Sequence, residues 1–333
     1  MSAREFEAAA LGPDQAAARL GEIGVRLSER IGGSERRRLV AERRRLEQEL
    51  RIQLQPIDRV RLARDPNRPQ TQDYIDALIK DFIEIHGDRR YADDGAIIAG
   101  LGYFGRSAVA LAGHQRGRST ADRLRRNFGK PHPEGYRKAA RLFELAERFG
   151  LPLITFIDTQ GAEPGVGAEE RGQAEAIAAN LALMARLTVP VIACVIGEGG
   201  SGGALALGVA NRVLMQENAC YAVITPEGCA AILWREAGPE KVAEAAAALR
   251  LSAADLLRLG IIDEIVAEPP GGAHREPGEA AAALGVALER NLAALSRLKP
   301  ERLRRDRERR FGAIGNRFLS DSGPPHRPRR ARP

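Results

Sequence analysis

The chain has 333 residues, 44% of them hydrophobic, which suffices for one large domain with extensions and a sizeable core. Its three cysteines, Cys194, Cys220 and Cys229, are too few for a disulfide framework and lack the C-x-x-C pairing of structural zinc sites, so buried thiols in a reducing compartment are expected. The net charge of +7 sits at the ends, with 12 Lys/Arg against 4 Asp/Glu in residues 299–333 and 11 against 5 in residues 30–64; the middle is mildly acidic, which argues against a nucleic-acid footprint across the main domain.

The N-terminal MSAREFEAAALGPDQ mixes charges of both signs and has no continuous apolar stretch, so no signal peptide is expected. No apolar run reaches the roughly 18 residues that a membrane span needs, and a cytoplasmic protein is expected. Residues 34–55, SERRRLVAERRRLEQELRIQLQ, place Leu39, Leu46, Leu50 and Leu54 at helical spacing, predicting an amphipathic helix laid against the domain or a partner. LARDPNRPQTQDY is a connector, and a helix is predicted from about Thr71 to His86. AIIAGLGYFGRSAVALAGHQ predicts two β runs joined at a Gly-Arg-Ser turn. In HPEGYRKAARLFELAERFG the stripe Ala139, Leu142, Leu145, Ala146 and Phe149 predicts a helix that ends at Gly150.

Alternation then sets in. LPLITFID is a strand, TQGAEPGVG a glycine-rich loop, AEERGQAEAIAANLALMARL a helix and VPVIACVIG a strand. The second glycine cluster, GEGGSGGALALG, opens a further helix before the β run RVLMQ. Ser252 and Asp255 form a capping box before LLRLG, and IIDEIV is a strand. The tail SGPPHRPRRARP has a disordered composition. Buried apolar strands alternating with amphipathic helices predict an α/β layered core.

The second cluster satisfies three motif definitions. Gly197, Gly199 and Gly202 match G-x-G-x-x-G, with Glu217 twenty residues on as a ribose-binding acid, but too few residues precede the next β run for the helix of a dinucleotide fold. Gly199 through Gly203 also fit G-x-S-x-G, with Ser201 as nucleophile, His274 as base and Asp255 or Asp263 as acid. In the third reading the glycines are the site, because they let backbone N–H groups approach an anion and form an oxyanion hole. The earlier loop Asp158–Gly167, delivered to the same sheet end, favours the third reading, and no P-loop motif occurs.

The runs RRNFGKPHPEGYRKAARL, ITFIDTQGAEPGVGAEERGQAEAIA, VIGEGGSGGALALGVA and TPEGCAAILW resemble the α subunits of bacterial acetyl-CoA carboxylase carboxyltransferases, members of the crotonase superfamily. LARDPNRPQTQDY, GDRRYADDGAI and GHQRGR extend the resemblance over about residues 57–275. It implies a crotonase-like ββα-spiral domain at 71–298, a helical extension and connector at 1–70, and a basic helix with a tail at 299–333. It implies a β-subunit partner carrying a zinc ribbon in an α2β2 assembly, alongside biotin carboxylase and the biotin carboxyl carrier protein. No membrane or nucleic-acid partner is implied. The implied reaction moves a carboxyl group from carboxybiotin on the carrier to acetyl-CoA, giving malonyl-CoA for fatty acid biosynthesis; both are substrates, and no covalently bound cofactor or metal is expected on this chain.

Carried onto this sequence, the resemblance puts the oxyanion hole at the N–H groups of Gly202 and Gly203, with Gly199, Gly200 and Ser201 shaping the turn. Gly161, Gly165 and Gly167 would line the substrate, and Arg171, Arg126 and Arg137 would orient an anionic group or form structural ion pairs. Cys229 and Trp234 are expected to pack along the cleft. The loop departs from the family's usual DTPGAYPG at Gln160 and Glu163, which puts efficiency or acyl-CoA preference in question.

Overall fold

The computed structural model describes residues 13–234 and 238–316. Among them, one sheet holds β1 (Ile79–Glu84), β2 (Ile97–Phe104), β3 (Ser107–His114), β4 (Leu153–Thr159), β5 (Val191–Gly200), β6 (Arg212–Gln216), β7 (Cys220–Ala222) and β8 (Glu264–Val266). The order is β1-β2-β3-β4-β5-β6-β8, with β7 paired to the outer end of β5. The pairs β1·β2 and β2·β3 are antiparallel, and the pairs from β3 onward are parallel.

Both faces of the central strands are covered, which explains why β4 and β5 are buried along their whole length rather than alternating. Ala110, Ala112, Ala193 and Val195 point to one core, shared with Leu142 and Phe143 of the helix Pro133–Phe149 and Met184 of the helix Gln173–Arg186. Val109, Leu111, Ile192 and Ile196 point to the other, shared with Tyr74 and Ile75 of the helix Thr71–Leu78 and Leu284 and Leu288 of the helix Pro277–Leu295. The expected α/β layering is present.

Local differences from expectation have physical causes. The helix expected over Thr71–His86 stops at Leu78, and the chain continues as β1. Pairing with β2 overrides the helical periodicity, because Gly100 and Gly102 let β1 come close: a Cβ there would lie 2.4 Å from the Ile83 carbonyl oxygen and 2.5 Å from Ile79 Cγ2. The helix expected over residues 168–187 is divided into Val166–Glu170 and Gln173–Arg186 by Gly172 at φ 83°. Ser252 does cap the helix Ala253–Leu259, accepting the Asp255 N–H, and Gly150 closes its helix at φ 65°.

The basic ends have structural uses. The helix Gly33–Gln53 buries Leu39 and Leu46 against Ala16, Leu20 and Ile23 of the helix Pro13–Ser28, so its apolar stripe has a partner within the chain; Leu54 is half-buried, and the Leu50 side chain lies outside the described residues. In the helix Pro300–Ala313, Arg307 is 1% exposed and donates to the Val189 carbonyl at 3.2 Å and to Asn211 Oδ1 at 2.5 Å. The Pro/Arg-rich segment 322–333 lies outside the described residues.

Two polar networks brace the outer end of the sheet. Arg68, 3% exposed, donates to the Ile196 carbonyl at 2.7 Å, to Gln216 Oε1 at 3.0 Å and to both carboxylate oxygens of Glu268. Burial pushes the Glu268 carboxyl up, but the Arg68 guanidinium and the N–H groups of Asn218 and Ala273 bring it below the usual range. In the second network, Asp88 accepts three N–H bonds from residues 90–92 and one from Arg137 Nε at 2.8 Å. Burial raises the Asp88 pKa, and these donors more than reverse it, holding it at about 2.

Removing one member of a buried pair leaves the other uncompensated, so Glu268→Gln is expected to lower unfolding free energy by about 3–5 kcal/mol in urea titrations. Because the folded-state pKa of Asp88 is depressed, its contribution is complete above about pH 4 and lost as the pH falls toward 2. Asp88→Asn should therefore be less stable than wild type at pH 7 by about 1–3 kcal/mol, with the gap closing across that acid window in pH-dependent unfolding.

Candidate active site

The glycine cluster straddles a strand end and a turn. Gly197, Gly199 and Gly200 belong to β5, and the chain then enters the helix Ser201–Leu205, only five residues long and shorter than its sequence suggests. Each strand glycine makes room for a neighbour. A Cβ would lie 2.3 Å from Asp158 Oδ1 at Gly197, 2.8 Å from the Tyr221 ring at Gly199, and 2.1 Å from the Gln160 carbonyl oxygen at Gly200. Gly203 meets the other loop as well, with a Cβ position 2.5 Å from the Ala162 nitrogen and 2.9 Å from Tyr136 Oη. The two glycine loops thus touch backbone to backbone, which no larger residue at Gly200 or Gly203 permits.

Gly202 differs, because its nearest neighbour on that measure is Ile177 Cγ2 at 3.7 Å. That is ordinary van der Waals contact rather than overlap. As first-turn residues, Gly202 and Gly203 have N–H groups with no i−4 carbonyl inside the helix. Gly161, at φ 150°, and the half-buried Ala162 face this turn. Gly165 precedes the helix Val166–Glu170, and Gly167 lies beside Arg171, with a Cβ position 3.2 Å from its Nη1.

The rival motif readings lose their geometry. Gly197 and Gly199 sit in a strand rather than a phosphate-binding turn, and Glu217 Oε2 accepts the Glu268 N–H at 3.3 Å. Ser201 is exposed and left-handed at φ 54°, the backbone shape of a nucleophile elbow, but its expected triad partners are engaged elsewhere. Asp255 bonds the Ser252 hydroxyl, Asp263 holds the Val213 N–H and Arg310, and His274 faces Asp65 at 3.9 Å.

The arginines are engaged in the fold. Arg171 pairs with Glu134 at 2.9 Å and stacks over Tyr91 at 4.8 Å; Arg137 spans Asp88, Glu134 and the Arg171 carbonyl; Arg126 binds Asp122 and the Gly95 carbonyl. The Glu134 bond raises the Arg171 pKa. Trp234 takes Lys241 over its ring at 5.0 Å, and Cys229 is half-buried.

Glu163 accepts from Asn127 Nδ2 at 2.8 Å and from the Gly165 N–H at 3.0 Å, and the Asn127 bond, ahead of the others, lowers its pKa. Its charge is therefore held by amides and ties the β4 loop to Asn127 and Phe128, two consecutive residues at φ 44° and 55°. Beside them a cavity of about 350 Å³ opens at the ends of β3 and β4, lined by Arg64, Arg116, Arg123, Phe128, Lys130 and Gln160. Arg64 and Arg116 are paired with Glu198 and Asp158 at its floor, where burial raises the Asp158 pKa and Arg116 partly offsets it. Arg116 and Lys130 carried no expected role, although both lie within the GHQRGR and RRNFGK runs.

Residues 21–315 match the family model described as acetyl co-enzyme A carboxylase carboxyltransferase-like. The chain is 58% identical over 273 residues to the acetyl-coenzyme A carboxylase carboxyl transferase subunit alpha of Sorangium cellulosum, covering 82% of this chain and 85% of that one. Identity to the protein of the same name from Thermus thermophilus is 55% over 279 residues, covering 84% and 89%. Among solved structures, transcarboxylase 12S aligns at a TM-score of 0.52 and 23% identity over 67% of this chain and 43% of that one. The β subunit of P. aeruginosa geranyl-CoA carboxylase aligns at 0.53 and 18% over 74% and 46%. At that identity the likeness speaks for the fold alone, a crotonase-like one, and this chain spans less than half of either structure. By the family match and the identity to its relatives, the chain belongs to the acetyl-coenzyme A carboxylase carboxyltransferase α-subunit family.

Proposed function

We propose that this chain supplies the carboxybiotin half of a carboxyltransferase site, acting with a zinc-ribbon β subunit in an α2β2 assembly to form malonyl-CoA from acetyl-CoA. The observation that carries the reading is the backbone contact between the two glycine loops, which fixes the turn bearing the Gly202 and Gly203 N–H groups. In the reaction the bond from biotin N1 to the carboxyl carbon breaks and a bond from that carbon to the acetyl methyl carbon forms. The electron pair left on the ureido group is delocalised onto its oxygen, and N1 takes up the methyl proton. Two N–H donors aimed at that oxygen stabilise charge that appears only as the N–C bond breaks.

Gly199, Gly200 and Ser201 shape the turn, and Gly161, Gly165 and Gly167 border it. The basic cavity beside Gln160 suits an anionic substrate group. Exposed Val223, Ile232 and Leu233 favour a covering subunit next to β7. We take residues 71–298 as the carboxyltransferase domain, with the carrier protein and biotin carboxylase as further partners.

The test is malonyl-CoA-dependent carboxylation of a biotin derivative by this chain co-purified with its β subunit. Activity is expected to need both chains and to fall by about 10²–10³ in kcat with Gly203→Ala, which displaces one donor. A stable complex without activity overturns the reading. Ser201→Ala should retain most activity, and a fluorophosphonate probe should leave Ser201 unlabelled; labelling would restore the hydrolase reading.

A further inference from the structure

Behind the glycine turn lies a group of buried polar atoms without hydrogen-bond partners among the described residues. His114, the last residue of β3, is 0% exposed, and neither ring nitrogen has a hydrogen-bond partner among the described residues. Tyr136, on the helix Pro133–Phe149, is also 0% exposed, and its hydroxyl is likewise unpartnered among the described residues. Buried polar groups are normally satisfied, so each of these is a cost that calls for a compensating use.

Both side chains converge on one residue. Tyr136 Oη lies 2.9 Å from the position a Cβ would take on Gly203, and the His114 ring faces the carbonyls of Gly203 and Phe156, near them but outside hydrogen-bond geometry. The Ala162 nitrogen and the Gly161 carbonyl carbon lie 2.5 and 2.7 Å from that same Cβ position, so Tyr136 Oη and the β4 loop crowd one flank of Gly203 together and leave the turn little room to move there. Burial lowers the His114 pKa to about 4, and the two carbonyls only partly offset this. The ring is therefore neutral at working pH, with one N–H to donate.

Resting on the proposed oxyanion role of Gly203, we propose that His114 and Tyr136 are positioning residues whose buried polar atoms engage the Gly203 backbone from behind and fix its N–H toward the bound anion. A small shift, open to the free protein, brings the His114 N–H onto the Gly203 carbonyl. Neither residue touches substrate, and neither carries a proton in the reaction. A donor at residue 114 is what matters, not an imidazole base.

The test uses the assembled two-subunit enzyme. His114→Ala is expected to lower kcat by about tenfold or more with KM for malonyl-CoA changed less than about twofold, and His114→Gln, which keeps a donor, to recover most of the loss. Tyr136→Phe, which removes only the hydroxyl, should lower kcat by a few-fold, again at constant KM. The pH profile of kcat should keep its shape in His114→Gln. Equal losses in His114→Ala and His114→Gln, parallel changes in kcat and KM, or loss of one limb of the pH profile would overturn the proposal. Amide hydrogen exchange on the full chain gives a readout independent of turnover: the Gly203 N–H should exchange roughly an order of magnitude faster in His114→Ala than in wild type. Unchanged exchange would count against the positioning role even if the wild-type complex proved inactive and the oxyanion reading failed.

Discussion

The site depends on one steric constraint, the approach of two main chains closer than any side chain allows. At Gly200 and Gly203 the turn after β5 rests on the Gln160–Ala162 backbone, with Cβ positions only 2.1–2.5 Å from Gln160 and Ala162 atoms. Everything else in the region either enforces that approach or exploits it. The Asp158 side chain takes the space a Cβ on Gly197 would need and accepts the Glu198 N–H at 3.0 Å, pinning β4 to β5 just below the turn. Asp158 and Glu198 are held in turn by Arg116 and Arg64, so the floor of the neighbouring cavity and the register of the glycine turn share the same ion pairs.

The acidic residue in the β4 loop has its charge met within the fold. The Glu163 carboxylate is taken up by Asn127 and the Gly165 N–H. Glu163 thereby forms a hydrogen-bonded brace from the β4 loop to the strained Asn127-Phe128 pair. Strain of this kind persists only where the surroundings over-determine the backbone, and here Glu163 and the Lys130 carbonyl both hold Asn127.

Much of this is legible in the sequence. Strand and helix alternation follows from covering an apolar sheet on both faces, and the runs for β2 to β6 are sufficiently apolar and well punctuated to be located. The dense glycines imply the contact between the two loops, though not which of them are indispensable; at Gly202, central to the motif, a Cβ would make only ordinary contact with Ile177. Residues 79–84 are illegible because their strand character comes from pairing with Gly100 and Gly102, a non-local cause. For the arginines the sequence leaves anion binding and structural ion pairs both open, and the structure shows the ion pairs. Arg126, Arg137 and Arg171 sit in motif runs suited to anion binding, but their carboxylate partners lie as much as 49 residues away, as for Arg137 and Asp88. His114 and Tyr136 read as ordinary strand and helix residues, since nothing local marks their convergence on Gly203.

The forked pairing of β5 bears on how the molecule assembles. Its inner half, Ile192–Val195, pairs with β6, while its last three residues, Glu198–Gly200, pair with β7, which is itself bridged to Ser252. Arg68, beside the same strand end, waits for Glu268, 200 residues later. Loop closure over such separations is slow, so the inner sheet can form from more local units before the Arg68–Glu268 pair closes. During synthesis, the Arg68–Glu268 pair can form only after Glu268 has left the ribosome.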